Sequence, residues 1–475
     1  MQIFIRRFFH LNSLITAKKK LISICFLFTF FFLGFCFPSS SYSKNLEDQI
    51  SWNVFEYKLE NGLNILLLPD NRAPMIVSKL WYGVGSRDES PGETGIAHFL
   101  EHMMFKGTKK YGPKVFSNLI KKNGGSHNAF TSFDYTGYYE KLPSNKLELA
   151  IKLEADRMKN LKLIKKELEL ERKVVLEERR TRVDDNPVSF LFEKLRQKSF
   201  SSHTYANPII GWEKDIKKIS LTNMKSFYKR FYVPENATLV IVGNIKISKT
   251  LQIIKKYFGK IRSNGNFKRK VLIQTSQQKE RSVIVRRNAA LPYFAMTYHT
   301  PNWKHPDAAA LTLLEYILGG GKSSRIYQRL VRQEGIALSA GVDYRYLSYD
   351  PDLFYLYAQP STGISVSKIK NIFFEELKRI STLNVSQKEL KRAIKGIEAS
   401  SIFSMDSHYY RAMMLGRSAV CGDWRIIKNY LKKIRKVTPE QMVEVAKKYF
   451  NANNRTIAEL ILKRLKNKCE YHYPK

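Results

Sequence analysis

Acidic residues are missing from the first 43 positions, and cysteine is scarce throughout, with four in 475 residues. Arg6, Arg7 and Lys18 to Lys20 precede an apolar run from Leu21 to Phe37, then Pro38 and a Ser-rich stretch ending at Ser43. That order reads as a secretory signal peptide over residues 1–43, and it predicts export across the inner membrane, to the periplasm. The apolar run, about 17 residues long, is at the lower limit for spanning a bilayer, so an uncleaved membrane anchor is the alternative. Phe35, bulky and directly before Cys36, argues against a lipoprotein cleavage site. No second apolar run of spanning length is present, which leaves the mature chain soluble or tethered through the leader alone. Beyond the leader only Cys421 and Cys469 remain. Neither has the setting of a metal ligand or a nucleophile. In an exported protein they are a candidate disulfide, and the sequence leaves open whether the two sulfurs meet.

Acids are outnumbered as well, 42 Asp and Glu against 81 Lys and Arg, for a formal charge of +39. Such an excess suits nucleic acid, an anionic membrane or acidic substrates. No nucleic-acid module is found with its spacing, and the lysines are spread along the chain. The excess is therefore read as solvated faces in a lysine-rich composition, with no nucleic-acid partner. A phosphate loop is missing too. Gly319-Gly-Gly-Lys-Ser-Ser324 satisfies Gly-x-x-x-x-Gly-Lys-[Ser/Thr] in no register, which excludes the usual nucleotide site.

What the chain does have is His98-Phe-Leu-Glu101-His102. On a helix of 3.6 residues per turn, His98 and His102 stand one turn apart on one face and can reach a single cation. Glu101 lies between them, where a carboxylate can serve a metal-bound water without being a ligand. His-x-x-Glu-His reverses the commoner His-Glu-x-x-His zinc helix. With 9 His in the chain, chance supplies on the order of 0.01 such matches. Pro91-Gly92 breaks the chain ahead of this stretch, Thr94 can cap a helix there and Gly107 can end it.

A hydrolytic zinc site uses three protein ligands and keeps the fourth position for water, so a further ligand is required. The charged helical run Lys165 to Arg180 is the place to look, although most of its charges suit a solvated face. Glu178 shares a stripe with Glu171 and Val174, beside Val175, whereas Glu177 turns toward Lys173 and Leu170. Periodicity favours Glu178 modestly and leaves Glu177 open.

Gly95-Ile-Ala-His-Phe-Leu-Glu-His-Met-Met-Phe-Lys-Gly-Thr108, then Asn128-Ala-Phe-Thr131, then Glu171-Arg-Lys-Val-Val-Leu-Glu-Glu178 resemble the pitrilysin/insulinase family of zinc peptidases. Among these the chain is similar to the shorter members related to the β subunit of the mitochondrial processing peptidase and their bacterial counterparts. The resemblance implies one Zn2+ per chain held by His98, His102 and Glu178, with Glu101 catalytic and Glu171 supporting the site from behind the ligands. It implies that Asn128 and Ala129 lie on an edge strand that pairs with the substrate backbone. His127, beside them, reads as a surface or supporting residue rather than a ligand. It also implies an α+β fold of two homologous α/β-sandwich halves, each a sheet with helices packed on it, facing each other in a clamshell.

The chain's own patterning divides accordingly. Residues 50–260 make a first, zinc-binding half, with a hairpin around Glu60-Asn61-Gly62-Leu63, strands over Ile76 to Val84 and from Ser126, and a buried strand over Asn236 to Gly243. Residues 261–279 are polar and basic and read as a linker. Residues 280–470 repeat the scheme with a helix over Ala308 to Leu318 and a late strand over Ile457 to Leu462, but without His-x-x-Glu-His.

One departure bears on activity. Many family peptidases supply an Arg and a Tyr, seven apart, from the second half to hold the scissile carbonyl. Alignment on Gly335 and Ala337 puts Val331 and Leu338 there, and neither can donate a hydrogen bond from its side chain. Losing such donors costs about 3 kcal/mol each. The expectation is a metalloendopeptidase acting on peptides and working as a heterodimer, with a homologous zinc-free partner bringing the Arg and Tyr unless Arg332 or Tyr344 substitutes. The other reading is a non-catalytic subunit that binds peptides or scaffolds a complex.

Overall fold

The computed structural model describes residues 52–265, 267–383 and 385–463. The leader, Cys36 and Cys469 lie outside the described residues. Among those described, no helix is long and apolar enough to cross a membrane.

Among the described residues, eleven strands make two sheets. β1 (Phe55–Lys58), β2 (Asn64–Pro69), β3 (Met75–Tyr82), β4 (Ser126–Thr131), β5 (Thr136–Pro143) and β6 (Ala237–Gly243) form the first, in the order β1-β2-β6-β3-β5-β4. β7 (Arg281–Arg287), β8 (Tyr293–Thr300), β9 (Ala337–Tyr344), β10 (Asp352–Pro360) and β11 (Arg455–Leu462) form the second, in the order β7-β11-β8-β10-β9. β2 runs parallel to β6, β7 runs parallel to β11, and the other pairs are antiparallel. Strand for strand, β2-β6-β3-β5-β4 repeats as β7-β11-β8-β10-β9, so the two stretches share one topology. The mixed α/β architecture expected from the sequence is the one observed.

Among the helices are α1 (Ile96–Met103), α2 (Lys165–Arg179), α3 (Pro187–Ser199), α4 (Ala308–Gly319), α5 (Gln387–Met405) and α6 (His408–Cys421). β6 is buried at every position, which its unbroken run Ala-Thr-Leu-Val-Ile-Val-Gly requires of a strand covered on both faces. Leu239 and Ile241 join the core that includes α1, while Val240 and Val242 face Ala412, Leu415 and Cys421 of α6. The second sheet is covered reciprocally, since Leu191 and Leu195 of α3 pack on Val285, Ala295, Ala458 and Leu460. Each sheet thus takes an outer helix from the stretch of chain that builds the other. No pattern within one segment discloses this exchange, because an amphipathic helix carries no mark of which sheet it will cover.

The α6 contact is close. A Cβ on Gly416 would stand 1.9 Å from Trp81 Nε1, and Trp81 is fully buried against Phe130 and Tyr135. Gly416→Ala is expected to destabilise the fold by about 2 kcal/mol, read as a lower urea midpoint at unchanged slope. At the N-terminal end of α6, Asp70 accepts hydrogen bonds from Arg72 (2.7 Å) and Arg411 (2.5 Å) and pairs with His408 (3.1 Å). Cys421 is buried in this layer and has no disulfide partner among the described residues.

Candidate metal centre

α1 is only eight residues long, below the length at which a helix holds itself in water. It is stabilised from both sides. Ile96, Ala97, Phe99, Leu100 and Met103 are buried in the first core, which leaves His98, Glu101 and His102 on the opposite face. At the N-terminus the cap is Gly95, in left-handed conformation (φ 89°), and not Thr94. A side chain on Gly95 would meet the Ile210 carbonyl at 2.4 Å. The free amides go to Glu89, whose carboxylate accepts from Gly95 N (2.9 Å) and Ala97 N (3.0 Å). Thr94 instead donates its hydroxyl to Asp215 (2.6 Å) and accepts from Trp212 N (2.9 Å). Glu89 gives no sign of this role in the sequence, because its spacing to the helix fits no capping box. At the other end α1 stops at Met103, with Met104 as the cap, and Gly107 (φ 99°) turns the chain just beyond.

α2 packs against α1 and brings the carboxylate. Its inward stripe is Leu168, Glu171 and Val175, leading to Glu178. Val174, expected on that stripe, is half exposed, and Val175 takes its place one position on. Glu177 is exposed and pairs with Arg180. Between the two carboxylates that periodicity left open, it is Glu178 that faces the imidazoles. Glu178 Oε2 lies 3.7 Å from His98 Nε2 and 3.2 Å from His102 Nε2, and one ligand atom from each of the three residues falls within 4.8 Å of the others. The ring centroids of His98 and His102 are 4.7 Å apart.

The donor set fits a zinc ion, with two imidazole nitrogens and one carboxylate oxygen. His102 is oriented for it, because its Nδ1 is 2.8 Å from Glu171 Oε1 and Nε2 is turned inward. Glu171 in turn pairs with Lys106. His98 has no such support. Its Nδ1 is buried without a hydrogen-bond partner among the described residues. The two rings titrate apart for these reasons. Burial, then the neighbouring His102, brings His98 down to about 4. Burial works against His102 too, yet its hydrogen bonds to Glu171 and Glu178 carry it up to about 9. Glu178 resists burial through His102, His98 and Arg182 and drops to about 2.

Glu101 lies beside this group without joining it. Its Oε2 accepts a hydrogen bond from Thr131 Oγ1 at 2.5 Å. Burial pushes its carboxyl up to about 7, against the Thr131 bond and His102. Thr131 closes β4, the last strand of the first sheet, which pairs only with β5 among the described residues. Asn128 is exposed and Ala129 buried on that edge, and the Asn128 side chain accepts from Ala129 N (2.9 Å). His127 turns away, between Phe105 and Phe116.

In the second half, Val331 is half buried and Leu338 is exposed. Tyr344 is buried and donates its hydroxyl to the Pro301 carbonyl at 2.6 Å. That commitment removes Tyr344 as a substitute for the missing tyrosine, while Arg332 is exposed. Gly319 to Ser324 links α4 to a short helical turn, and Ser324 Oγ donates to the Gly321 carbonyl (2.7 Å).

Residues 65–213 match the family described as Insulinase (Peptidase family M16), and residues 218–397 match that described as Peptidase M16 inactive domain. The zinc protease PqqE of Helicobacter pylori is 30% identical over 84% of this chain and 90% of its own. The crystal structure of a protease from Helicobacter pylori superposes with a TM-score of 0.83, at 30% identity over 86% of this chain and 99% of that one. The periplasmic protease PqqL from Escherichia coli matches at a TM-score of 0.74 and 19% identity, over 87% of this chain but 48% of PqqL. With its two sheets, its α1 motif and these similarities, the chain belongs to the insulinase/pitrilysin family, peptidase family M16.

Proposed function

We propose that this chain is the zinc-bearing subunit of an endopeptidase that hydrolyses peptides or small proteins. The observation that supports it is the convergence of His98 Nε2, His102 Nε2 and Glu178 Oε2 beside Glu101, whose Oε1 has no hydrogen bond among the described residues. A zinc ion held by those three residues supplies Lewis acidity, polarising a scissile carbonyl and easing ionisation of a water. Glu101, tethered through Oε2 by Thr131, has Oε1 to take the proton from the attacking water and deliver it to the departing amine. β4, at the edge of its sheet, carries Asn128 and Ala129 for pairing with an extended peptide, whose carbonyl would replace the Asn128 side chain on Ala129 N.

The subunit is completed by a homologous, zinc-free partner that brings the Arg and Tyr. Val331 and Leu338 give this chain no donor there, and its length corresponds to about half of PqqL. Export through residues 1–43 puts the enzyme in the periplasm, and N-terminal sequencing of the mature protein checks whether the leader is removed.

Metal analysis of the purified chain should find one zinc per chain, lost in His98→Ala. Glu171→Gln should weaken zinc binding by about 10- to 100-fold in a chelator competition. Peptide cleavage, suppressed by chelator, should rise sharply when the partner is added. The loss of the donor pair specifically favours a second reading, a non-catalytic peptidase-like scaffold. A chain without zinc, or a zinc-loaded chain inert with every homologous partner, would establish that reading instead.

A further inference from the structure

Glu178 has two carboxylate oxygens, and only one of them faces the imidazoles. The other, Oε1, is 2.5 Å from Arg182 Nη1. We infer that Arg182 is a positioning residue that holds back Oε1, so that Glu178 offers the metal a single oxygen and a coordination position stays open for water or peptide. The inference rests on the zinc reading above.

Arg182 is placed for this by the backbone. α2 ends at Arg179, and residues Arg180–Asp184 continue as a single wide, π-type turn, a form common at functional sites. That turn is held from two directions. Buried Arg179 donates to Glu193 (3.0 Å), the Gly211 carbonyl (2.7 Å) and Asp184 (3.1 Å). Arg287, on β7 of the second sheet, donates to the Asp184 carbonyl. The Arg182 side chain itself is half exposed, 53% against 14% for Glu178, so its position comes from the turn beneath it and from the carboxylate it binds. A guanidinium on a carboxylate oxygen forms one of the stronger hydrogen bonds available to a protein. Without it, the Glu178 carboxylate is free to rotate about its last bond and present both oxygens. Zinc accepts a fifth ligand readily, and a second Glu178 oxygen would occupy the position the reaction needs.

Two effects oppose each other in metal affinity, because deleting Arg182 also removes a positive charge from beside the ion. Coordination number is the discriminating readout. The full-length chain loaded with cobalt(II) alone should show the visible absorption of a low-coordinate ion. In Arg182→Met that absorption should fall roughly twofold or more as coordination rises. Arg182→Lys, which keeps a donor but not the planar fork, should fall between the two and serves if the Met variant fails to fold. With partner present, kcat of Arg182→Met should drop about tenfold at similar KM. A cobalt-bound Arg182→Met chain with the unsubstituted spectrum would overturn the role of Arg182 and leave the zinc reading standing. An unsubstituted chain that binds neither cobalt nor zinc would overturn both.

Discussion

Glu101→Gln should retain one zinc per chain and lose peptide hydrolysis by on the order of 10³-fold, measured with the partner subunit present. Gln keeps the volume of the side chain and can still accept from Thr131 Oγ1, so the tether to β4 survives. What it cannot do is take a proton from water. The three residues that converge on one point, His98, His102 and Glu178, are untouched by the change. Metal content and activity therefore separate cleanly, and circular dichroism should match the parent. A Glu101→Gln subunit that still cleaves peptides at a tenth of the parental rate would remove Glu101 from the mechanism. Loss of zinc along with activity would show that Glu101 is needed to build the site rather than to move a proton.

Lys79→Met should stabilise the fold by about 3 kcal/mol at neutral pH. Lys79 is fully buried on β3, where α6 covers the first sheet. Its Nζ stands 3.4 Å from the Tyr409 ring centroid and 5.0 to 5.9 Å from those of Tyr139, Phe130 and Trp81, with Met413 Sδ at 3.9 Å. Lys141, over the same Tyr409 ring at 4.4 Å, adds a like charge. Burial, then Lys141, pushes the Lys79 amine down to about 6. The unfolded chain therefore binds a proton that the folded chain does not, from about pH 6 up to the ordinary lysine value near 10.5. Through that window the Lys79 contribution to stability rises with pH. At neutral pH only the part of the shift between about pH 7 and the ordinary lysine value weighs on stability, which is why the expected gain is below the full shift. Urea titrations of parent and Lys79→Met at pH 6.5 and 9.5 check this. The variant should be the more stable at the lower pH, and the gap should narrow at the higher. A destabilised variant, or a gap independent of pH, would show that the cage holds a charged lysine.

These residues mark how far the chain could be read from its letters. His98, Glu101 and His102 were legible because a helix fixes the relation of positions four apart, whatever surrounds it. Glu171 was legible only through family resemblance, and the hydrogen bond to His102 Nδ1 gives its place a physical basis. Glu178 was half legible. The helix period pointed to it over Glu177, and yet Val174, placed on its stripe, is exposed, while Val175 beside it is buried. At about 100° per residue, Val174 and Val175 lie about 60° and 40° to either side of Glu171, so the period alone does not decide which of them faces inward. Glu89 and Arg182 carried no signal at all, and Thr131 appeared only as the end of a family-like stretch with no role assigned. A lone carboxylate, hydroxyl or guanidinium acquires its role from what the fold sets across from it.

The order of strands was partly written locally too, in the turn at Asn61-Gly62 and in the unbroken apolar run of β6. The exchange of α3 and α6 between the sheets was not. Nor was the burial of Lys79, which sits in a strand where alternation would let a lysine face water. The sequence by itself determined that His98, Glu101 and His102 share one helix, which is short-range geometry, while the third candidate ligand and the want of a donor at Val331 and Leu338 came from the family resemblance. Only the tertiary structure decided which carboxylate meets the imidazoles, what holds its second oxygen, and which helix covers which sheet. Those are contacts between segments distant in the chain, and they are selected by how whole surfaces pack together.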